Sequence, residues 1–227
     1  LRSIFGGGKK TETLDGFNII DGELVPISHR IFRDQPRRLM RVFLHAQQRG
    51  LEFHPDLTQL LRDNVSLVDD DFVHDTENHE TFLEILNQRG NVAPALRAMH
   101  EVDLLGRYIP EFGRMTCLVQ HEFFHAYAAD EHTLVCLERL DQVWDAAQPP
   151  FAHYTHILQD IDLPYLLYLA LFLHDAGKGM ESGDHVKDGT VVCQKVGERL
   201  GLTPRRLARL KFLVEHHLLM AEVSQRR

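Results

Sequence analysis

From Asp34 onward, apolar residues recur with the period of an α-helix. Leu39, Val42, Phe43 and Ala46 share one face up to Gly50, with Asp34 as a possible cap and Pro36 in the first turn. Leu57, Leu60 and Leu61 mark a short helix after Pro55. Phe82, Ile85 and Leu86 mark another, which Asp69-Asp70-Asp71 opens and Gly90 closes. Asn91 and Pro94 start a fourth, ending near Val102 and closed by Leu104-Leu105-Gly106. Ahead of these helices, Gly16 to Pro26 reads as a β-hairpin around Asp21-Gly22, a pair suited to a type I′ turn. Two strands do not stand alone in water, so the hairpin is expected to complete a sheet whose other strands lie outside this chain.

The second half is helical again. Helices are expected from Asp130 to Ala147, Leu163 to His174, Asp184 to Leu200, and Thr203 to about Ser224. Gln148-Pro149-Pro150 breaks the first of these, and Thr203-Pro204 starts the last. Tyr108 to Gly113 reads as a connector and marks the expected boundary, with residues 1–114 as hairpin plus helical neck and residues 115–227 as a five- or six-helix bundle. The fold class is mostly α, without internal repeats or low-complexity tracts.

At 227 residues and 44% hydrophobic content the chain can bury a core, and its length suits two domains. A net charge of −8 argues against broad non-specific nucleic-acid binding. Arg37-Arg38 and Arg205-Arg206 are too short to track phosphates and read as solvated helix faces. Cys117, Cys136 and Cys193 are far apart, as expected for reduced, buried thiols of a cytoplasmic protein. No apolar run reaches the length of a membrane span and no signal peptide opens the chain, so no membrane partner is expected. Gly6-Gly7-Gly8-Lys9-Lys10 lacks P-loop spacing and reads as a surface loop. The start on Leu1 and the end on Gln225-Arg226-Arg227 inside a helical pattern suggest a piece of something longer.

The 15 histidines direct attention to metal chemistry. The apolar run Tyr165 to Leu173 delivers His174-Asp175 to the end of a buried helix, where Gly177 and Gly179 stop it. Adjacent helical residues diverge by about 100°, so the two side chains converge on one ion only at a helix end or across two ions. Imidazole with carboxylate suits Mg²⁺, Mn²⁺, Fe²⁺ or Zn²⁺. The plainer alternative is a hydrogen-bonded core histidine beside a capping aspartate. His132 and His185 open helices, where a surface cap is the alternative. His216-His217 interrupts the run from Phe212 to Met220, which is expected to form a buried stripe with a polar partner. Asp69-Asp70-Asp71 is explained by the helix dipole.

Taken together, His132, His174-Asp175, His185 and His216-His217 resemble the HD superfamily of metal-dependent phosphohydrolases. The longer motifs Phe124 to Thr133, Leu171 to Lys178, Gly183-Asp184-His185 and His217 to Met220 resemble the bifunctional PII uridylyltransferase/uridylyl-removing enzymes, as do Gly16-Phe17 and Tyr108 to Phe112. The resemblance implies that residues 1–114 are the tail of a nucleotidyltransferase domain and its neck, and 115–227 an HD hydrolase cut short at its C-terminus. The Gly-Ser and Asp-x-Asp motifs of the transferase centre are absent from this chain. His132, His174 and Asp175 match the central metal ligands, and His185 and His217 match further ones that would hold a second metal, with His216 open as the alternative to His217. The superfamily's final aspartate is expected beyond Arg227.

Asp175 and Lys178 take the catalytic roles, Lys178 by stabilising charge on phosphate oxygens, against the alternative of a solvated loop lysine. His125 would contact substrate or support a metal ligand from behind, against the alternative of a packed core histidine. The implied cofactor is a divalent metal, Mg²⁺ or Mn²⁺ ahead of Fe²⁺ or Zn²⁺. The implied partners are the PII signalling protein and its uridylylated form, with glutamine sensed by ACT domains outside this chain. Hydrolysis of uridylyl-tyrosine is the leading reading. Another HD phosphodiesterase or nucleotidase, and a catalytically silent PII-docking module, are the alternatives.

Overall fold

The computed structural model describes residues 12–116, 128–180, 185–219 and 223. The Gly6–Lys10 run, Cys117 and His125 lie outside the described residues, as does the side chain of His185.

The chain begins with a four-stranded sheet, β1 (Glu12–Leu14), β2 (Phe17–Ile20), β3 (Glu23–Pro26) and β4 (Glu52–Phe53), in that spatial order. Asp21 and Gly22 sit at φ 53° and 88°, the positive angles that a type I′ turn needs at both positions. Asp15 and Gly16, at 49° and 86°, repeat the device between β1 and β2. β4 runs parallel to β3, its ends tied by Glu52 N–H to Gly22 O and His54 N–H to Leu24 O. The expectation that the remaining strands lie outside the chain is therefore corrected. A three-residue and a two-residue strand are too short to show alternation. Phe17 and Leu24 turn into the core, where Phe17 meets Phe32 with ring centroids 6.1 Å apart.

Helices follow. α1 (Ile31–Asp34) and α2 (Arg38–Arg49) are separate, and Asp34 ends the first instead of capping the second. The cause is Pro36, which forces Gln35 into extended backbone at φ −146°, ψ 90°. Gly50, left-handed at φ 62°, closes α2. α3 (Pro55–Asn64) starts on its proline as expected. The single helix expected from Asp69 to Gly90 is two, α4 (Asp70–Val73) and α5 (Thr76–Leu86). Asp69 caps the first by accepting from Phe72 N–H, and Asp75 caps the second by accepting from Asn78 N–H. α6 (Ala93–Glu101) is followed by α7 (Leu104–Tyr108) after a left-handed Asp103, and by α8 (Pro110–Gly113).

The stretch expected as a connector is thus helical and buried. Tyr108, Ile109 and Phe112 have almost no exposure, and Phe112 stacks on Phe172 at 4.7 Å between centroids. The close approach of Gly106 and Gly113 explains both glycines, since a Cβ on Gly113 would stand 2.5 Å from the Gly106 carbonyl oxygen.

α9 (Ala129–Trp144), α10 (Ala152–Gln159), α11 (Pro164–Leu173), α12 (His185–Arg199) and α13 (Pro204–Glu215) complete the described helices. One hydrophobic cluster runs from Phe17 to Val214 through both halves. α11 lies at its centre, packed on α5, α9 and α13. Tyr165, Leu166, Tyr168, Leu169, Phe172 and Leu173 are all buried, which is why its sequence is apolar on every face. No single described helix is long and apolar enough to cross a membrane. α10 and α11 pass that test only as a pair, and they meet at a 118° bend.

Candidate metal centre

α11 ends at Leu173, and His174 turns its side chain back on the helix: Nδ1 lies 2.6 Å from the Leu171 carbonyl oxygen. A carbonyl only accepts, so Nδ1 carries the proton in that bond and Nε2 faces outward. Asp175 follows, and the chain enters a 3₁₀ turn over Ala176–Gly179. Asp175 is 4% exposed, and its Oδ2 lies 3.4 Å from His174 Nε2, 3.9 Å from His132 Nε2 and 3.0 Å from Lys178 Nζ. With Nδ1 committed to Leu171, Nε2 is left facing the carboxylate, where its lone pair is available to a cation.

Burial, the largest single influence on Asp175, pushes its pKa up. The hydrogen bond and charge of His174, then those of Lys178, outweigh it and hold the carboxyl well below the usual carboxylate range. An ionised carboxylate is thereby kept almost out of solvent.

His132 comes from α9, and its ring centroid is 5.6 Å from that of His174. α9 is fixed against α6 by three sets of bonds. Arg97 pairs with Glu131 at 3.0 Å and Glu138 at 2.6 Å, and His100 faces Asp130 at 3.4 Å. Asp141 accepts from the Val92 and Ala93 N–H groups at 3.1 and 2.8 Å, capping α6 from a neighbouring helix. Tyr168 of α11 donates to the same Asp141 at 2.6 Å and accepts from Gly90 N–H at 3.1 Å. This network sets the register of α9 against α11, and with it His132 against His174.

One member of the cluster was not anticipated. Cys136, a helical turn after His132, places Sγ 3.6 Å from His132 Nε2. His132, Cys136 and His174 each offer a donor atom, and these all lie within 4.8 Å of one another. The only trace in the sequence was the i, i+4 spacing, which puts both side chains on one helix face. Burial, and then the charge of Asp175, push the Cys136 thiol up.

Around one four-coordinate ion, nitrogen and oxygen donors stand roughly 3.4 Å apart, and a thiolate stands about 3.6 Å from a nitrogen. Two pairs match, His174 Nε2 to Asp175 Oδ2 at 3.4 Å and Cys136 Sγ to His132 Nε2 at 3.6 Å, while His132 Nε2 to Asp175 Oδ2 is wider at 3.9 Å. His174 also has the Nδ1-to-carbonyl bond that commonly orients a metal-binding imidazole.

The other expected residues are distributed as follows. His217 lies just past α13, its Nδ1 2.6 Å from the Val214 carbonyl oxygen and its ring 5.4 Å from that of His174. His216 instead packs on Phe212, ring to ring at 4.6 Å, on the exposed side. Of the two, His217 is the one beside His174. The buried stripe expected around them is corrected: Phe212 is 60% and Leu219 51% exposed, α13 ends at Glu215, and among the described residues from Phe212 onward only Val214 is buried. Lys178 is bonded to Asp175 and largely buried, not a solvated loop lysine. His125 lies outside the described residues, and for His185 only the backbone, at the start of α12, is described.

Residues 17–108 match the family model described as the third domain of the uridylyltransferase GlnD. Over 214 residues the chain is 34% identical to the bifunctional uridylyltransferase/uridylyl-removing enzyme of Cereibacter sphaeroides, covering 93% of this chain and 23% of that protein. The enzyme of the same name from Ruegeria pomeroyi is 34% identical over 215 residues, with the same shares. Over nearly its whole length the chain is similar to these bifunctional uridylyltransferase/uridylyl-removing enzymes. It spans about a quarter of the length of the curated relatives it matches.

Proposed function

We propose that the centre at the end of α11 serves the uridylyl-removing reaction, hydrolysing a uridylyl-tyrosine phosphodiester on the PII protein to UMP and free tyrosine. The observation that carries this reading is the convergence of Asp175 Oδ2 with the Nε2 atoms of His174 and His132, at 3.4 and 3.9 Å, beside the largely buried ammonium of Lys178. Nothing in a structural scaffold requires two imidazoles and an ionised carboxylate to face one another at a helix end.

His132, His174 and Asp175 would hold a divalent cation, with His217 close by and His185 as a further candidate. Such an ion supplies charge neutralisation at the phosphoryl group and a lowered pKa for an attacking water. The Leu171 carbonyl fixes the ring plane of His174, and the packing of α9 on α6 fixes His132. Lys178 is within reach to stabilise charge developing on phosphate oxygens once substrate displaces it from Asp175. Water attacks phosphorus, the bond from phosphorus to the tyrosyl oxygen breaks, and that oxygen takes a proton. In this reading residues 115–227 form the hydrolase unit and 1–114 the tail of a transferase domain with its helical neck. The test is release of UMP from uridylylated PII by the full-length enzyme. Loss of release in Asp175→Asn and after chelation is expected, and unchanged release in Asp175→Asn would refute the assignment.

A further inference from the structure

The thiol of Cys136 is left over by the chemistry described so far. A plain S–H···N hydrogen bond to His132 would account for the 3.6 Å contact, but not for the third donor: His174, from a different helix, offers a nitrogen within the same 4.8 Å sphere. α9 presents His132 and Cys136 one turn apart, the spacing by which paired ligands on one helix face grip zinc in other proteins. Cys136 is only partly buried, and no disulfide occupies it.

We infer that Cys136 is a metal ligand of this centre, joining His132 and His174 as a soft donor and turning the site toward thiophilic divalent ions such as Zn²⁺, Co²⁺ or Fe²⁺. This rests on the metal reading proposed above and refines it. A site of imidazoles and carboxylate alone has no strong preference among borderline ions, whereas one thiolate adds selectivity against Mg²⁺ and Mn²⁺, which favour oxygen. Thiolate and carboxylate then divide the work. Cys136 and His132 would hold the ion from α9 and His174 from the end of α11, while Asp175 also bonds Lys178.

The test is titration of the metal-free protein with Co²⁺, read by its near-ultraviolet thiolate-to-cobalt absorption band and by bound cobalt per chain. Native protein is expected to bind Co²⁺ and show the band. Cys136→Ser should bind Co²⁺ without it, and its Zn²⁺ affinity should fall by more than the roughly 10- to 100-fold that loss of an outer partner of a metal site costs. His174→Ala should lose binding altogether. Cobalt bound by native protein without the band would overturn the role of Cys136 and leave the metal centre standing, as would a band that survives Cys136→Ser. Native protein that binds no cobalt, indistinguishable from His174→Ala, would instead remove the metal reading on which the inference rests.

Discussion

The ammonium of Lys178 sits 3.0 Å from Oδ2 of Asp175, the same oxygen that faces His174 Nε2 at 3.4 Å. Lysine and any bound cation therefore compete for one carboxylate. A charge pair at such a separation is worth about 1 to 4 kcal/mol in partly screened surroundings. Lys178→Met should accordingly bind Mn²⁺ at least about fivefold more tightly by calorimetry. It should also release UMP more slowly, by roughly 10²-fold, the usual loss when a donor to a developing oxyanion is removed. Weaker Mn²⁺ binding in Lys178→Met would show that the lysine positions Asp175 instead of competing for it.

A second ion pair holds the two halves of the core together. Arg199 of α12 grips Glu111 of α8 through two bonds of 3.1 and 2.7 Å, with both side chains nearly buried. Removing one partner leaves an uncompensated buried charge, so Arg199→Ala should lose about 3 to 5 kcal/mol in urea unfolding. Replacing both residues by methionine should cost far less, because a well-packed apolar pair avoids the desolvation of two charges.

The same pair gives the protein an acid-sensitive component. Burial, the largest influence on Glu111, raises its pKa, but the bonds from Arg199 more than offset this and depress the value below the ordinary 4.5. A depressed native value means that the stabilisation is complete above 4.5 and is lost as pH falls through the native value. The urea midpoint of the wild-type chain should therefore drop between about pH 5 and about pH 3, and the double methionine variant should drop less. Equal slopes in the two proteins would rule Glu111 out as the source.

Tyr168 links the loop before α6 to both helices of the site. Tyr168→Phe leaves Asp141 short of a donor and Gly90 N–H short of an acceptor. The expected cost is about 1 to 3 kcal/mol. Because Asp141 also caps α6, the change should loosen α9 against α11 and weaken metal binding without touching any ligand. Hydrogen exchange should show faster opening of residues 92–96. A destabilised variant with unchanged exchange there would place the effect elsewhere.

Much of the helical framework was legible in the sequence where a single signal dominated. α11 announced itself by nine consecutive apolar or aromatic positions from Tyr165 to Leu173, α3 by Pro55, and the hairpin by Asp21-Gly22. What was missed depended on competing local signals or on tertiary contacts. Asp75, a second cap inside an otherwise periodic stretch, splits one expected helix into two. α10 buries only Thr155 and Leu158 and so shows no stripe for a sequence reader to find. Gly106, Pro110 and Gly113 punctuate like a linker, yet Tyr108, Ile109 and Phe112 between them are side chains that demand a core. The histidines and Asp175 could be nominated as a set, but Cys136 could not. Its importance comes from His174, which approaches it from another helix.

The account stands on one convergence, and anomalous diffraction from crystals soaked in Mn²⁺ or Zn²⁺ tests it most directly. The predicted result is a single strong peak bound by His132, His174 and Asp175 at about 2.0 to 2.3 Å from their donor atoms. A protein that crystallises with these side chains ordered and shows no peak there, or a peak that leaves His174 and Asp175 uncoordinated, would contradict it.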